Sequence, residues 1–260
     1  MEYETTTGRW SKKLIGIVSF MAAFAAAKLL VPPALEFFSR KTTNWAERYE
    51  TEIANQPDFK NLFVAMKAKF PNDYERLKSE IVAKLETGES GAVLRAHSFA
   101  FMRTFMSNHK SDIAKAPSTS LTMLRDAQLA VGEAIRSENV DMCGRFVMTG
   151  LSQSDRPSAQ ANRVLGNLGV AQLDAASEGI AHPISRKTTV MSDADGIALL
   201  NQMQRNGLTD EQLKIFASED GLSKALPAVQ CEIGLRMLRA VAMLPKEQAD
   251  RLSAYMIVNS

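Results

Sequence analysis

Apolar residues recur every three or four positions through most of the chain after Ser39, and the alternation that marks β-strands is almost absent. A period near 3.6 residues places such side chains on one face of an α-helix. The stretches 58–70 and 72–88 show this pattern clearly, and together they predict a helical hairpin. Asn72 is the predicted N-cap of the second helix, and Gly88 is its predicted stop. The spacing therefore predicts an all-α protein.

The same periodicity continues to the C-terminus. Further helices are predicted over residues 90–108, 118–136, 140–149, 158–179, 192–206, 209–217, 227–244 and 246–257. Thr209 and Gln212 have the spacing of a capping box, in which each side chain binds the other residue's backbone N–H. Breaks are predicted at 151–157 and at 181–191, where proline, serine and charged residues interrupt the period.

Residues 14–31 are the one stretch whose composition is far from average. Only Lys28 is charged there, and Pro32 and Pro33 follow directly. A helix over this stretch would be roughly 27 Å long, close to the thickness of the hydrocarbon core of a bilayer. The sequence therefore predicts a transmembrane anchor over residues 14–38. Its predicted membrane-contacting side chains are Leu14, Ile15, Ile17, Val18, Phe20, Phe24, Leu29, Leu30 and Val31.

Two other interpretations of this stretch stay open. A cleaved signal peptide would need a small-residue site, which Ala25 to Ala27 provide, although the apolar run resumes after it. A soluble core helix or an interfacial helix is the third possibility. Basic residues on the two sides of the stretch nearly balance. Because a short basic tail usually stays inside, we expect a single-pass protein of the bacterial inner membrane with its C-terminal domain in the periplasm.

The predicted organisation has four parts. A basic tail covers residues 1–13, the anchor 14–38, a linker or stalk helix 39–57, and an α-helical soluble domain 58–260, with a possible subdivision at 181–191. The chain is 45% hydrophobic and 23% charged, which is ordinary globular composition. Its formal net charge is +2 and its basic residues are not clustered, so no nucleic-acid partner is expected.

Cysteine and histidine are scarce, and neither type forms a metal-binding motif. Cys143 and Cys231 are far apart in sequence, so they are two buried thiols or one disulfide in an oxidising compartment. His97 and His109 are twelve residues apart, which puts them on different faces of a helix, and His182 precedes a proline. No metal and no cofactor are expected.

Catalytic templates match poorly. Ser107 and Lys110 fit the S-x-x-K spacing, but the elements that accompany it in known enzymes are absent. The sequence therefore favours a membrane-anchored binding or scaffold protein of the bacterial envelope over an enzyme. It would bind lipid through its N-terminal helix and another protein through its domain. The alternatives are a hydrolase-type enzyme with an unrecognised site, or an envelope immunity or regulatory protein.

Overall fold

The computed structural model describes residues 44–56, 60–152, 154–188, 190–218 and 220–259. Within these residues the chain forms twelve helices and no strand, which confirms the all-α class. In chain order the helices are α1 Trp45–Ala54, α2 Lys60–Lys69, α3 Pro71–Glu86, α4 Gly91–Ala114, α5 Ser118–Glu138, α6 Val140–Thr149, α7 Ala159–Ala181, α8 Asp193–Arg205, α9 Asp210–Ala217, α10 Gly221–Lys224, α11 Pro227–Ala242 and α12 Lys246–Val258.

Most helix ends agree with the sequence signals. The capping box of Thr209 and Gln212 is present at the start of α9. The prediction that Asn72 caps α3 is wrong, because α3 begins one residue earlier with Pro71 at its first position and Phe70 as the N-cap residue. Proline suits this position, since the first backbone N–H of a helix has no partner within the helix.

Helix α4 is longer than predicted. It continues past Asn108 to Ala114, because no proline or glycine interrupts it and Ile113 extends its buried face. The S-x-x-K match therefore lies inside the helix, where Ser107 is exposed to solvent and Lys110 is only partly buried. An exposed serine in the middle of a helix lacks the buried environment that activates a nucleophile, so this match carries no chemistry.

Helix α7 contacts α5, α4 and α2 and organises much of the core. Small residues allow this close packing. A Cβ atom at Gly179 would lie 1.8 Å from the backbone oxygen of Asp112, near the end of α4. The aromatic and sulfur-containing residues of α4 that face this core are buried: Phe99, Phe101, Met102, Phe105 and Met106.

Helix α1 belongs to the bundle. Tyr49 and Ile53 are buried, and α1 contacts both α3 and α2. None of the described helices is both long and apolar enough to cross a bilayer. The predicted anchor, with all nine of its named side chains, lies outside the described residues, and so do the hairpin residues Asp58 and Phe59. The anchor and the division of the chain into tail, anchor, stalk and domain therefore stay predictions.

Candidate functional site

The most concentrated buried charge among the described residues lies between α5 and α12. Arg125 of α5 and Asp250 of α12 have side chains that are only 8% and 5% exposed. Arg125 donates from Nη1 to Asp250 Oδ1 over 3.0 Å and to Ser253 Oγ over 3.1 Å. Its Nη2 donates to Thr122 Oγ1 over 2.8 Å. All these partners lie on α5 or α12, so the cluster joins the two helices.

A second arginine reaches the same carboxylate from the segment that follows α7. We call residues 183–188 together with Val190 the strap. The side chain of Arg186, in the strap, is 8% exposed, and its Nη2 lies 3.8 Å from Asp250 Oδ2. Its Nη1 donates to the backbone oxygens of Ala114 and Ala116 over 3.2 and 2.8 Å. Burial, and then the charge of Arg125, lower the pKa of Arg186, whereas Asp250 opposes the shift.

The chemistry of this cluster is that of an ion-pair network. Ser118 donates its hydroxyl to Asp250 Oδ2. Two guanidinium groups face this one carboxylate, so Asp250 pairs with arginines and not with a histidine or lysine that could relay a proton from Ser118. The guanidinium of Arg186 also contacts carbonyl groups at the end of α4. The dipole of that helix favours a cation at its C-terminal end. The cluster therefore stabilises the fold and does not resemble a nucleophile with its base.

A small cavity adjoins the cluster between α5, α11 and α12. Its volume is about 10 Å³, the lower limit for one water molecule. Leucine, valine, isoleucine and methionine side chains form most of its wall, and the polar residues are Arg125, Gln128 and Ser253. A cavity of this size has no room for a substrate without rearrangement of the three helices.

His97 and His109 pair with carboxylates outside this cavity. His97 Nε2 lies 2.7 Å from Glu80 Oε2, between α4 and α3. His109 Nδ1 lies 3.0 Å from Asp112 Oδ2, and its ring packs against Phe105 and Phe70 with centroid separations of 4.5 and 5.0 Å. Neither histidine contacts a serine in these interactions. These are the surface pairs of a folded helix bundle, and they do not form a catalytic triad.

The two cysteines form a disulfide between α6 and α11. The sulfur atoms of Cys143 and Cys231 are 1.95 Å apart, and 88 residues separate the two cysteines in sequence. Both residues are buried, at 0% and 1% exposure. The sequence left a disulfide and two free thiols open, and the structure has the disulfide. In the part of the chain that the structure describes, no group of histidine, cysteine and acidic residues is arranged to hold a metal ion.

The helices that carry the disulfide approach each other closely. A Cβ atom at Gly144 would lie 2.5 Å from the backbone oxygen of Pro227, and one at Gly234 would lie 2.6 Å from Val147 Cβ. A side chain at either position would therefore push α6 and α11 apart. Sequence periodicity did not identify this crossing, because glycines within a helix give no direct signal of which partner helix they meet.

The comparisons with known proteins find no relative. No family model matches the chain, no curated protein is similar to it, and no solved structure matches it. Inference about function therefore depends on the residues of this chain alone.

The sequence also missed the Arg125–Asp250–Arg186 cluster. A signal was present, since Arg125 falls on the same helical face as Leu121 and Leu124, which are buried. A charged residue at an apolar position of the helical period indicates a buried partner. The identity of that partner does not follow from the sequence, because Asp250 is 125 residues away.

Proposed function

We propose that this chain is a binding or scaffold module of the bacterial envelope, held in the inner membrane by residues 14–38 with its helical domain in the periplasm. The observation that carries the proposal is the buried disulfide between Cys143 and Cys231. Disulfides persist in the periplasm and other oxidising compartments, and they are rare in the cytosol. A disulfide-linked domain fits an N-terminal segment that targets the chain to the membrane.

The pairing of the buried carboxylate and of two histidines favours a binding role over catalysis. The buried carboxylate of Asp250 is held by two arginines, and His97 and His109 each pair with an acidic side chain. The groups that a hydrolase would use as base or nucleophile thus have partners that stabilise the fold. The alternative of an immunity or regulatory protein agrees with a binding role and differs only in the partner.

The location is tested on the full-length protein expressed in a Gram-negative host. Intact cells and spheroplasts are treated with protease, and the thiols are alkylated before and after reduction. We expect the domain to fractionate with the membrane, to be digested only in spheroplasts, and to show thiols only after reduction and unfolding. N-terminal sequencing separates an intact anchor from a signal peptide cleaved after Ala27. Free thiols in a protein that is protected from protease would overturn the periplasmic location.

The binding role is tested by site-specific photocrosslinking from exposed positions spread over the domain. We expect one protein to crosslink from neighbouring positions only, and the same protein, purified, to bind the full-length chain in detergent with a defined stoichiometry. Turnover of a substrate without any saturable protein partner would contradict a binding role and would favour the hydrolase alternative.

A further inference from the structure

A glutamine lies among apolar residues on the buried face of α5. Gln128 is 8% exposed, and Leu124 and Val131, which precede and follow it on the same helical face, are 1% and 0% exposed. The side-chain amide of Gln128 forms no hydrogen bond with another described residue. A buried amide without a protein partner costs free energy unless ordered water satisfies it. Gln128 therefore indicates a bound partner from outside the chain.

Gln128 lines the small cavity between α5, α11 and α12, and two further polar side chains line it as well. Arg125 and Ser253 are buried as deeply as Gln128. Three N–H donors of Arg125 bond to described side chains, and a guanidinium has two more. The hydroxyl of Ser253 donates to the backbone oxygen of Ala249 over 2.8 Å and accepts from Arg125, which leaves it one lone pair. The polar wall of the cavity can thus both donate and accept further hydrogen bonds.

The size of the cavity and the chemistry of its wall together select the occupant. The volume is about 10 Å³, and one water molecule needs roughly 10–15 Å³. The occupant must accept from N–H groups and also donate to the amide oxygen of Gln128. Water does both, whereas a halide ion only accepts and an ammonium ion only donates. Arg125 is already paired with Asp250 over 3.0 Å, so its charge does not require an anion in the cavity.

We propose that this cavity is a binding site for one ordered water molecule, which Gln128, Arg125 and Ser253 hold between α5 and α12. The water accepts from Arg125 and bonds to the amide of Gln128 and the hydroxyl of Ser253. It thereby extends the buried network of Arg125 and Asp250 to Gln128, and a buried polar network is stable when each of its members is satisfied. The inference concerns the interior of the domain and does not depend on the proposed binding function.

The first test is a crystal structure of the full-length protein in detergent, at a resolution that shows ordered water. We expect one water peak in the cavity, within about 3.2 Å of the Gln128 amide and of a second polar atom of the wall. Crystals soaked in bromide and crystals pressurised with xenon test for other occupants. An anomalous bromide peak in the cavity would identify an anion site, and a xenon peak would identify a dry apolar cavity. Either result, or a cavity without density, would overturn the proposal.

The second test measures the water in solution. Methyl groups are labelled in the full-length protein in detergent, and nuclear Overhauser effects are measured from water to the methyl groups of Val241 and Met256, which line the cavity. Gln128→Met keeps the length of the side chain and removes its polar atoms, so we expect these effects to fall. Because Ser253 is unchanged in this variant, exchange of its hydroxyl with water cannot account for the loss.

The matched control is Gln202→Met. It replaces a glutamine of α8 that is 9% exposed and does not line this cavity, and it is expected to keep the wild-type effects. Effects of equal size in Gln128→Met and the wild type would overturn the proposal, because the signal would then come from the hydroxyl of Ser253. The methyl spectrum shows whether Gln128→Met keeps its fold, and the crystal structure of the wild type decides the question if it does not.

Discussion

Two regions of this domain are held together by opposite means. At the crossing of α6 and α11 the contact is apolar, with Gly144 against Pro227 and a buried disulfide beside it. Where α1, α2 and α3 meet, one carboxylate of α1 bonds to side chains of the other two helices. Glu50 Oε1 lies 2.8 Å from Lys78 Nζ and 3.1 Å from Lys67 Nζ.

The hydroxyl of Tyr74 completes the second region by donating to Glu50 Oε2 over 2.9 Å. Burial acts to raise the pKa of Glu50, but the hydrogen bonds from Lys78, Tyr74 and Lys67 outweigh it and lower that pKa. Burial, and then the hydrogen bond to the same carboxylate, raise the pKa of Tyr74. The first region should therefore respond to steric change and to reduction, and the second to pH and salt.

The largest effect is expected from Gly144→Val. The added side chain meets the backbone of Pro227, whose oxygen would lie 2.5 Å and whose Cα 2.8 Å from the new Cβ. Backbone cannot move aside as a flexible side chain can, so α6 and α11 must separate and the cysteines with them. We expect no folded protein by circular dichroism, or a loss of more than about 3 kcal/mol in the free energy of unfolding.

Gly196→Ala is the control for this substitution. It also replaces a glycine within a helix, but its nearest neighbour is the flexible Met191 Cε at 3.1 Å. Alanine favours a helix over glycine by about 1 kcal/mol, so this variant should be as stable as the wild type or slightly more stable. A Gly144→Val protein with a wild-type urea midpoint would show that the crossing is not close.

The second prediction compares the loss of a buried ion pair with the loss of an exposed one. Arg125→Met leaves Asp250 without its 3.0 Å partner in a site where its side chain is 5% exposed. Removing one member of a buried ion pair costs about 3–5 kcal/mol. Arg239→Met breaks the exposed pair with Glu133, whose side chains are 38% and 48% exposed, and should cost less than about 1 kcal/mol. Urea unfolding of both variants measures the difference, and equal losses would contradict the role of burial.

Removal of the disulfide is expected to cost about 2–5 kcal/mol, since the bond closes a long loop in the unfolded chain. The double variant Cys143→Ala with Cys231→Ala should lose this stability to the same extent at pH 7 and pH 5 and in high salt. Wild-type protein unfolded and refolded in a reducing agent should match the variant. A loss that appeared only in the variant would indicate a packing defect at the two alanines instead of loss of the bond.

The part of the fold that the sequence predicted correctly is the part that short-range signals determine. Helix starts such as Ser158, Ser192 and Thr209 are set by side chains that bond to backbone N–H groups three residues later, so they can be read directly. The all-α class follows from the same short-range periodicity. The error at Asn72 has a local cause too, because a preceding proline took the first helical position.

Long-range pairing is what the sequence could not supply. Asp250 pairs with Arg125 across 125 residues, and Gly144 meets Pro227 across a helix crossing. Nothing near any of these residues specifies its partner. Residues 181–191 were predicted as a break and a possible subdivision of the domain. The bonds from Arg186 to Ala114 and Ala116 were not foreseen, because they depend on how the strap lies against the end of α4.

The smallest effect is expected at Glu50, and it is the one that pH controls. Glu50→Gln keeps the shape of the side chain but removes the charge that Lys78 and Lys67 contact. Because the pKa of Glu50 is lowered in the folded protein, its contribution is present above the unfolded value of about 4.3. That contribution is lost as the pH falls through the folded pKa. Partly exposed ion pairs contribute less than about 1 kcal/mol, so we expect a loss of that size at pH 7, measured by urea unfolding. The difference from the wild type should shrink as the pH falls below about 4.3, and it should fall in about 1 M salt, where the Debye length is about 3 Å. The cysteine double variant should show neither trend, and a Glu50→Gln effect of the same size at every pH and salt concentration would mean that the loss does not arise from the charge of Glu50.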